Sequence, residues 1–400
     1  MKPRNRRRQK KGLNLLLGAI LIIFVVVAAA VGIKYVTGSL GGSGKTKAEA
    51  EKEEKQEDKN AVKVTGIQIA APRETIRAGE GTQLTVTVTP DNATDKTINW
   101  TVSGGGGTVS EDYVLTPDAA AGKSTVEITA EAADGSGTKA SISLRILEAI
   151  DPHQPMVAIT YDDGPSAETT PTVLDALEAN YGVATFFMQG QYISGNEELL
   201  KRSYAMGNEL ANHSWDHPQL TTLSADGIKK QIDDTDALIK EVCPEENPIL
   251  RPPYGAVNDT VKSVVGKPII MWSLDTLDWK TRSTEKTIEA CMTAKDGDII
   301  LMHDIHEPTV AAAEDVITGL QEKGFQLVTV SELYHYRNGD FENGSVHYSM
   351  SAEEMDQNTA SATETSEDGT VVTTDEEDGA DADSLEEEDG SDTENSDSLE

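Results

Sequence analysis

Cysteine is nearly absent from this chain of 400 residues, which has only Cys243 and Cys291. Two thiols are too few for a disulfide framework. An extracytoplasmic location would permit a bridge between them; two separate, part-buried thiols are the equal alternative. Positive charge is missing from one end. After Arg337 there is no Lys or Arg, while 22 Asp or Glu lie between Asp340 and Glu400. That segment is rich in Ser and Thr and nearly free of aromatics past Tyr348. It cannot bury enough apolar surface to offset chain entropy, so residues 339–400 are expected to form a disordered acidic tail. Negative charge is missing from the other end, where residues 1–11 hold seven Lys or Arg and no acid. The formal net charge of −35 is therefore segregated and says little about the folded part.

Charge of either sign is missing from residues 12–33, which are mostly Leu, Ile, Val and Ala. A helix of ~22 residues rises about 33 Å, enough for a hydrocarbon core of roughly 30 Å. The basic run before it should stay cytoplasmic, which leaves everything after Lys34 outside. This gives the only basic run a membrane role and argues against a nucleic-acid partner. A cleaved signal peptide is the alternative, with Ala28-Ala29-Ala30 as a small-residue cleavage site. The apolar run is longer than the ~7–15 residues of a typical signal core, which favours an uncleaved anchor. In the cleaved case the protein would be secreted. Residues 34–61 read as a linker, first Gly/Ser-rich and then a Lys/Glu mixture without apolar periodicity.

Residues 62–148 carry an all-β pattern. Thr82 to Thr89 alternates with period two, which places Leu84, Val86 and Val88 on one face. Ile98–Val102, Val126–Ala130 and Ile142–Ile146 repeat the alternation, with turn residues such as Pro90-Asp91-Asn92 between strands. The region holds no Cys pair, and Trp100 is most simply a core tryptophan. Together, Arg77-Ala78-Gly79-Glu80-Gly81-Thr82-Gln83-Leu84, Pro90-Asp91-Asn92-Ala93-Thr94 and Trp100 resemble a bacterial Ig-like domain of group 2. Such a small sandwich would serve as a spacer or a weak wall-binding module.

Residues 153–338 alternate short apolar runs with helical patterns. Strands are expected at Met156–Thr160, Ala184–Met188, Ile299–His303 and Gln326–Val330. Helices are expected at Pro171–Asn180 and Ser224–Cys243, the latter with Ser224 as N-cap. Repeated βα units argue for a parallel barrel or open α/β sheet with its chemistry at the strand C-terminal ends.

Five short motifs lie in this region: Thr160-Tyr161-Asp162-Asp163-Gly164, His213-Ser214-Trp215-Asp216-His217, Arg251-Pro252-Pro253-Tyr254-Gly255, Asp275-Thr276-Leu277-Asp278-Trp279 and Leu301-Met302-His303-Asp304. They supply three good metal ligands, a spare carboxylate, a guanidinium and a spare imidazole. That inventory suits a metal-activated water with a separate general base and general acid. Neighbouring residues on an extended strand point opposite ways, so Asp162 and Asp163 can have different roles. His213 and His217 have a spacing suited to chelation from one helix face or across a tight turn. Arg251 can grip a carboxylate in bidentate fashion and keep it ionised.

The ordered set resembles the polysaccharide deacetylases of the NodB-homology type, carbohydrate esterase family 4. The resemblance implies an α/β fold, a distorted (β/α) barrel of seven or so strands, here preceded by the Ig-like sandwich and the transmembrane helix. It implies Asp162 as general base held by Arg251, and Asp163, His213 and His217 as ligands of a divalent metal. Zinc leads, with cobalt, nickel or manganese also suited to imidazole and carboxylate. It makes His303 the general acid with Asp278 as its partner, and gives the Tyr254 N–H to the oxyanion. Trp279 and Leu301 would wall the acetyl methyl. Asp275 is expected to make a structural hydrogen bond and His306 to be structural or supporting. Tyr161 stands where the family often has Phe, a departure that keeps an aromatic. The implied activity is removal of N-acetyl groups from a cell-wall polysaccharide, foremost the N-acetylglucosamine of peptidoglycan. Alternatives are an O-acetyl xylan esterase, a chitin-type deacetylase or, from another class, a non-catalytic wall-binding protein. No obligate protein partner is evident.

Overall fold

The computed structural model describes residues 60–244, 248–339 and 341–355. The expected basic segment, the 12–33 span and nearly all of the linker lie outside the described residues, as does the tail from residue 356. Among the described residues no helix is long and apolar enough to cross a membrane. The described residues from Val62 onward form one compact unit.

The N-terminal part of that unit is a β-sandwich. Ser124–Ala132 and Lys139–Leu147 form an antiparallel hairpin flanked by Ile98–Ser103 on one side and Thr75–Arg77 on the other. A second layer pairs Thr82–Gln83, Val114–Pro117 and Gly107–Val109, and Gly66–Ala70 lies against Thr85–Thr89. The period-two pattern does what it predicts. Leu84 is buried and Val86 and Val88 are half-buried, while Thr85, Thr87 and Thr89 face solvent. The core is Ile76, Leu84, Leu115, Val126, Ile128, Leu144 and Ile146. Trp100 is only half-buried and meets Tyr113 edge-on at 5.8 Å.

The sandwich docks on the larger domain through arginines. Arg77 gives Nε and Nη2 to the two carboxylate oxygens of Glu332, each at 2.8 Å, and also reaches the carbonyls of Leu327 and Glu148. Arg73 and Arg145 lie over the rings of Tyr204 and Tyr181, each 4.2 Å from the centroid.

The larger domain is a distorted parallel barrel. Glu209–Asn212, Thr185–Met188, Met156–Asp162, Ile299–His303 and Leu274–Asp275 follow one another in the sheet. Bridges from Asn212 to Leu250 and from Leu250 to Ile269 carry the pairing round towards the Leu274 strand. Gln326–Val328 pairs with the lower half of Met156–Asp162. Side-chain alternation divides the strands cleanly. Met156, Ala158, Phe187, Ala211, Ile270, Ile299 and Val328 share one core cluster. Val157, Ile159, Tyr161, Phe186, Ile300 and Met302 pack with the surrounding helices in another.

Two details depart from expectation, and one open alternative is resolved. The last strand stops at Val328, because Thr329 and Glu332 form a capping box that starts the helix Val330–Tyr336. The ordered domain continues past residue 338. Phe341, Val346 and Met350 pack on the core, Met355 is buried, and Val346–His347 pairs with Ile269–Ile270. These apolar side chains separate the start of the acidic segment from the rest. Cys243 and Cys291 are both buried, and no disulfide joins them.

Candidate active site and metal centre

Met156–Asp162 and Ile299–His303 run parallel in a register that sets Thr160 beside Leu301 and Asp162 beside His303. Their neighbours Tyr161 and Met302 face the helices, so Asp162, Leu301 and His303 fall on the barrel side at its C-terminal mouth.

Asp162 is almost fully buried and takes Arg251 Nη1 at 2.7 Å. The contact is single rather than bidentate. Nη2 and Nε of the fully buried guanidinium are spent on the carbonyls of Met271 and Ile270, which would otherwise lack donors inside the barrel. Nη1 also donates to Thr160 Oγ1, and the guanidinium lies 4.0 Å over the Phe187 ring.

Asp163 does not follow the strand. Its φ of 76° lies in the left-handed region, and this turn swings its carboxylate towards the same mouth as Asp162. The alternation expected of the two aspartates is overturned by that turn. Both carboxylates approach His213 Nε2, Asp162 at 3.8 Å and Asp163 at 3.6 Å, and His217 Nε2 is 3.4 Å from Asp163 Oδ1. The histidines sit on a tight turn after Glu209–Asn212, not on a helix.

One ligand atom each from Asp163, His213 and His217 lies within 4.8 Å of the others, as a bound cation requires. His213 Nδ1 is 2.6 Å from the Arg251 carbonyl, which accepts its proton and turns Nε2 as a lone pair towards Asp163. Two imidazoles and one carboxylate fit a catalytic site with an open position. Burial alone would raise the Asp163 carboxyl, but the two histidines hold it below its ordinary value. Burial and the neighbouring His213 hold His217 below its ordinary value.

The other wall is a second ion pair. Asp278 is buried and accepts from His303 Nδ1 and from His303 N, both at 2.9 Å, and from Thr309 Oγ1 at 2.7 Å. Burial opposes a charge on His303, yet the bond to Asp278 and the nearby carboxylates raise it to about 9. Asp275 Oδ1 accepts from Leu277 N at 2.8 Å, the structural bond expected of it. His306 immediately precedes the helix Glu307–Ala311 without a side-chain bond to it, and its Nδ1 faces Arg282 Nη1. Leu301 is buried, whereas Trp279 is 47% exposed. Tyr254, at φ 61°, exposes its side chain, with its ring edge-on to His217 at 4.6 Å. Tyr192, Tyr254, Leu277, Trp279 and Ile305 are exposed large hydrophobics that each follow the C-terminal end of a barrel strand.

Sequence reasoning missed Gln189, whose Nε2 donates to Asp163 Oδ1 at 2.8 Å. A polar residue just past the strand Thr185–Met188 was the available signal. Thr309 had none, because its partner lies 31 residues away in the chain.

Comparison with known proteins follows the same division. The bacterial Ig-like domain (group 2) profile matches residues 63–141, and the polysaccharide deacetylase profile matches residues 149–267. A peptidoglycan-N-acetylglucosamine deacetylase of Bacillus cereus is 35% identical over 195 residues, 46% of this chain and 91% of that protein. The chain belongs to the polysaccharide deacetylase family. A peptidoglycan-N-acetylmuramic acid deacetylase of Bacillus subtilis is 42% identical over 193 residues, 48% of this chain. A bifunctional xylanase/deacetylase of Pseudobutyrivibrio xylanivorans is 40% identical over 190 residues, 46% of this chain. The chain spans only 41% and 31% of the lengths of these last two relatives. Asp278 and His303 lie beyond the matched profile.

Proposed function

We propose that this deacetylase-family chain removes N-acetyl groups from the glycan of a bacterial cell wall, foremost the N-acetylglucosamine of peptidoglycan. One observation carries this reading. A three-ligand cluster, a carboxylate paired with Arg251 and an imidazole paired with Asp278 converge on one barrel mouth. Asp163, His213 and His217 would hold a divalent cation, zinc first, with cobalt, nickel or manganese as substitutes. The chemistry it supplies when bound is Lewis acidity towards a water and an acetyl carbonyl oxygen.

The chain's own groups do the rest. Asp162, paired with Arg251, takes a proton from the attacking water. The Tyr254 N–H faces the carbonyl oxygen as negative charge develops on it. His303, charged over most of the physiological range, gives its proton to the leaving nitrogen as the carbon–nitrogen bond breaks. The products are acetate and a free amino sugar. Asp278 holds the His303 ring and stabilises its charged form. Leu301 and Trp279 border the acetyl methyl. The exposed rings of Tyr192, Tyr254 and Trp279 suit a long glycan lying across the mouth. The expected membrane anchor would place this site just outside the cell membrane, within reach of the wall.

The muramic acid deacetylase relative supports a second reading in which the acetyl group leaves muramic acid instead. Acetate release from defined N-acetylglucosamine, N-acetylmuramic acid and O-acetyl xylan oligomers tests the proposal. Turnover confined to the xylan ester would overturn it.

A further inference from the structure

The ligand histidines close a five-residue turn, and a side chain from another element holds the middle of that turn. Ser214 and His217 both take left-handed φ values, 65° and 62°, which L-residues enter at a cost. The ends are tied from within. Ser214 N donates to Asn212 Oδ1 at 2.7 Å, and His217 N donates to Ser214 Oγ at 3.2 Å. The middle is not. Trp215 N and Asp216 N both donate to Gln231 Oε1, at 2.8 and 3.3 Å, and Gln231 Nε2 donates to Asp216 Oδ1 at 2.7 Å. Gln231 belongs to the helix Ala225–Val242, which buries Ile228, Ile232, Thr235 and Ile239. The amide is thus fixed to a rigid element.

The opposite side of the turn is closed as well. Gly190 N and Gln191 N donate to the carbonyls of Ser214 and Trp215, at 3.0 and 2.9 Å. A Cβ on Gly190 would stand 2.5 Å from Thr235 Oγ1 and 2.6 Å from the Trp215 ring. The turn is clamped between the 190 loop and the helix, with the Gln231 carboxamide as the helix-side jaw.

We propose that Gln231 is a positioning residue for the metal site, setting the separation of the two imidazoles through the backbone between them. The inference rests on the reading that Asp163, His213 and His217 hold a cation. A carboxamide suits the place because it offers an acceptor for two N–H groups and a donor for the Asp216 carboxylate. A Glu there keeps the acceptor but sets a second carboxylate against Asp216.

The test is zinc titration by calorimetry on the full chain in detergent, with the thermal midpoint of each metal-free variant measured alongside. His217→Ala, set against wild type, checks the ligand assignment itself. If the two bind zinc alike, the ligand reading fails, and the inference with it. If they differ, Gln231→Ala is expected to weaken zinc about 10-fold, the low end for supporting groups, because its bonds go to the turn and not to the imidazoles. The metal-free midpoint is expected to stay within a few degrees. Gln231→Glu should weaken zinc as well, and Gln231→Glu combined with Asp216→Asn should regain it, because donor and acceptor have changed places. Wild-type zinc affinity in Gln231→Ala would overturn the inference. So would a double variant no better than Gln231→Glu alone, an outcome that decides the matter even if Gln231→Ala does not fold.

Discussion

The two sides of this active site are built by different means. One member of each charge pair, Asp162 or His303, stands on a regular strand. Asp162 and His303 are register partners on adjacent parallel strands; Arg251 reaches Asp162 by one bond while two carbonyls fix its guanidinium, and Asp278 takes two bonds from His303 and one from Thr309. The ligand cluster stands on turns, since Asp163, Ser214 and His217 all have left-handed φ. Strand alternation places a side chain to within the pleat, and many backbone bonds share the load. A turn places it by a few local bonds and some strain. The charge pairs should therefore tolerate a change without disturbing the ligands, while a change in the ligand turns should cost cation binding first.

The largest expected effect is on the turn-held side. Chelation should reduce acetate release to background, and zinc or cobalt should restore it. His217→Ala should lose both bound metal, by elemental analysis, and turnover. Undiminished turnover in verified metal-free protein would break the comparison outright.

On the strand-held side, Asp162→Asn should keep its metal and still lose turnover by ~10²–10⁴, the usual worth of a general base. Metal lost together with rate would mean that Asp162 and Asp163 have exchanged roles. Arg251→Met leaves the buried Asp162 carboxylate without its countercharge. Breaking a buried pair in this way costs about 3–5 kcal/mol, read as a lower midpoint in urea.

What was legible in the residues follows the same line. The strands at Met156 and Ile299 and the Ser224 cap showed in the sequence, because periodicity and capping are local signals. The side chains that cluster at the mouth, Asp163 with His213 and His217, Asp162 with Arg251 and His303 with Asp278, also stood out through their motifs. The direction of Asp163 did not, because its left-handed turn overrides the alternation a strand would impose. Nor did the single contact from Arg251, which depends on carbonyls some twenty residues away that claim its other nitrogens. The Thr329-to-Glu332 capping box was readable in the sequence but lost to the apolar run before it. The packing of Phe341 and Met350 was hidden by the acidic average of the segment around them.

The next effect is a proton equilibrium. In chelated protein, His303 should titrate near about 9 by NMR of its ring, with Asp278 as the main cause that raises it. The folded value lies above the ordinary ~6.5 of an unfolded histidine. The stability from this pair is therefore complete below about 6.5 and is lost as pH rises through about 9. Asp278→Asn should move the titration down towards the ordinary value. An unchanged titration in that variant would show that Asp278 does not hold the proton on His303.

The smallest effect separates strain that holds a ligand from strain that does not. Leu277 has a left-handed φ of 54° and is 41% exposed, just ahead of Asp278. Relieving such a conformation is worth ~1–2 kcal/mol, while a new glycine costs ~0.4–1 kcal/mol through the unfolded chain. Leu277→Gly also gives up some apolar contact, so the sum should fall within ~1 kcal/mol of zero. Asp278 should not move, because its carboxylate is held by His303 N, His303 Nδ1 and Thr309 Oγ1 and not by the shape of the turn. Turnover and the His303 titration should match wild type. Ser214→Gly relieves a similar φ but removes the hydroxyl that accepts from His217 N. It should weaken zinc binding even where the thermal midpoint holds. If both glycine variants leave zinc binding and turnover untouched, the ligand turn is as over-determined as the strands, and the distinction between the two sides of the site disappears.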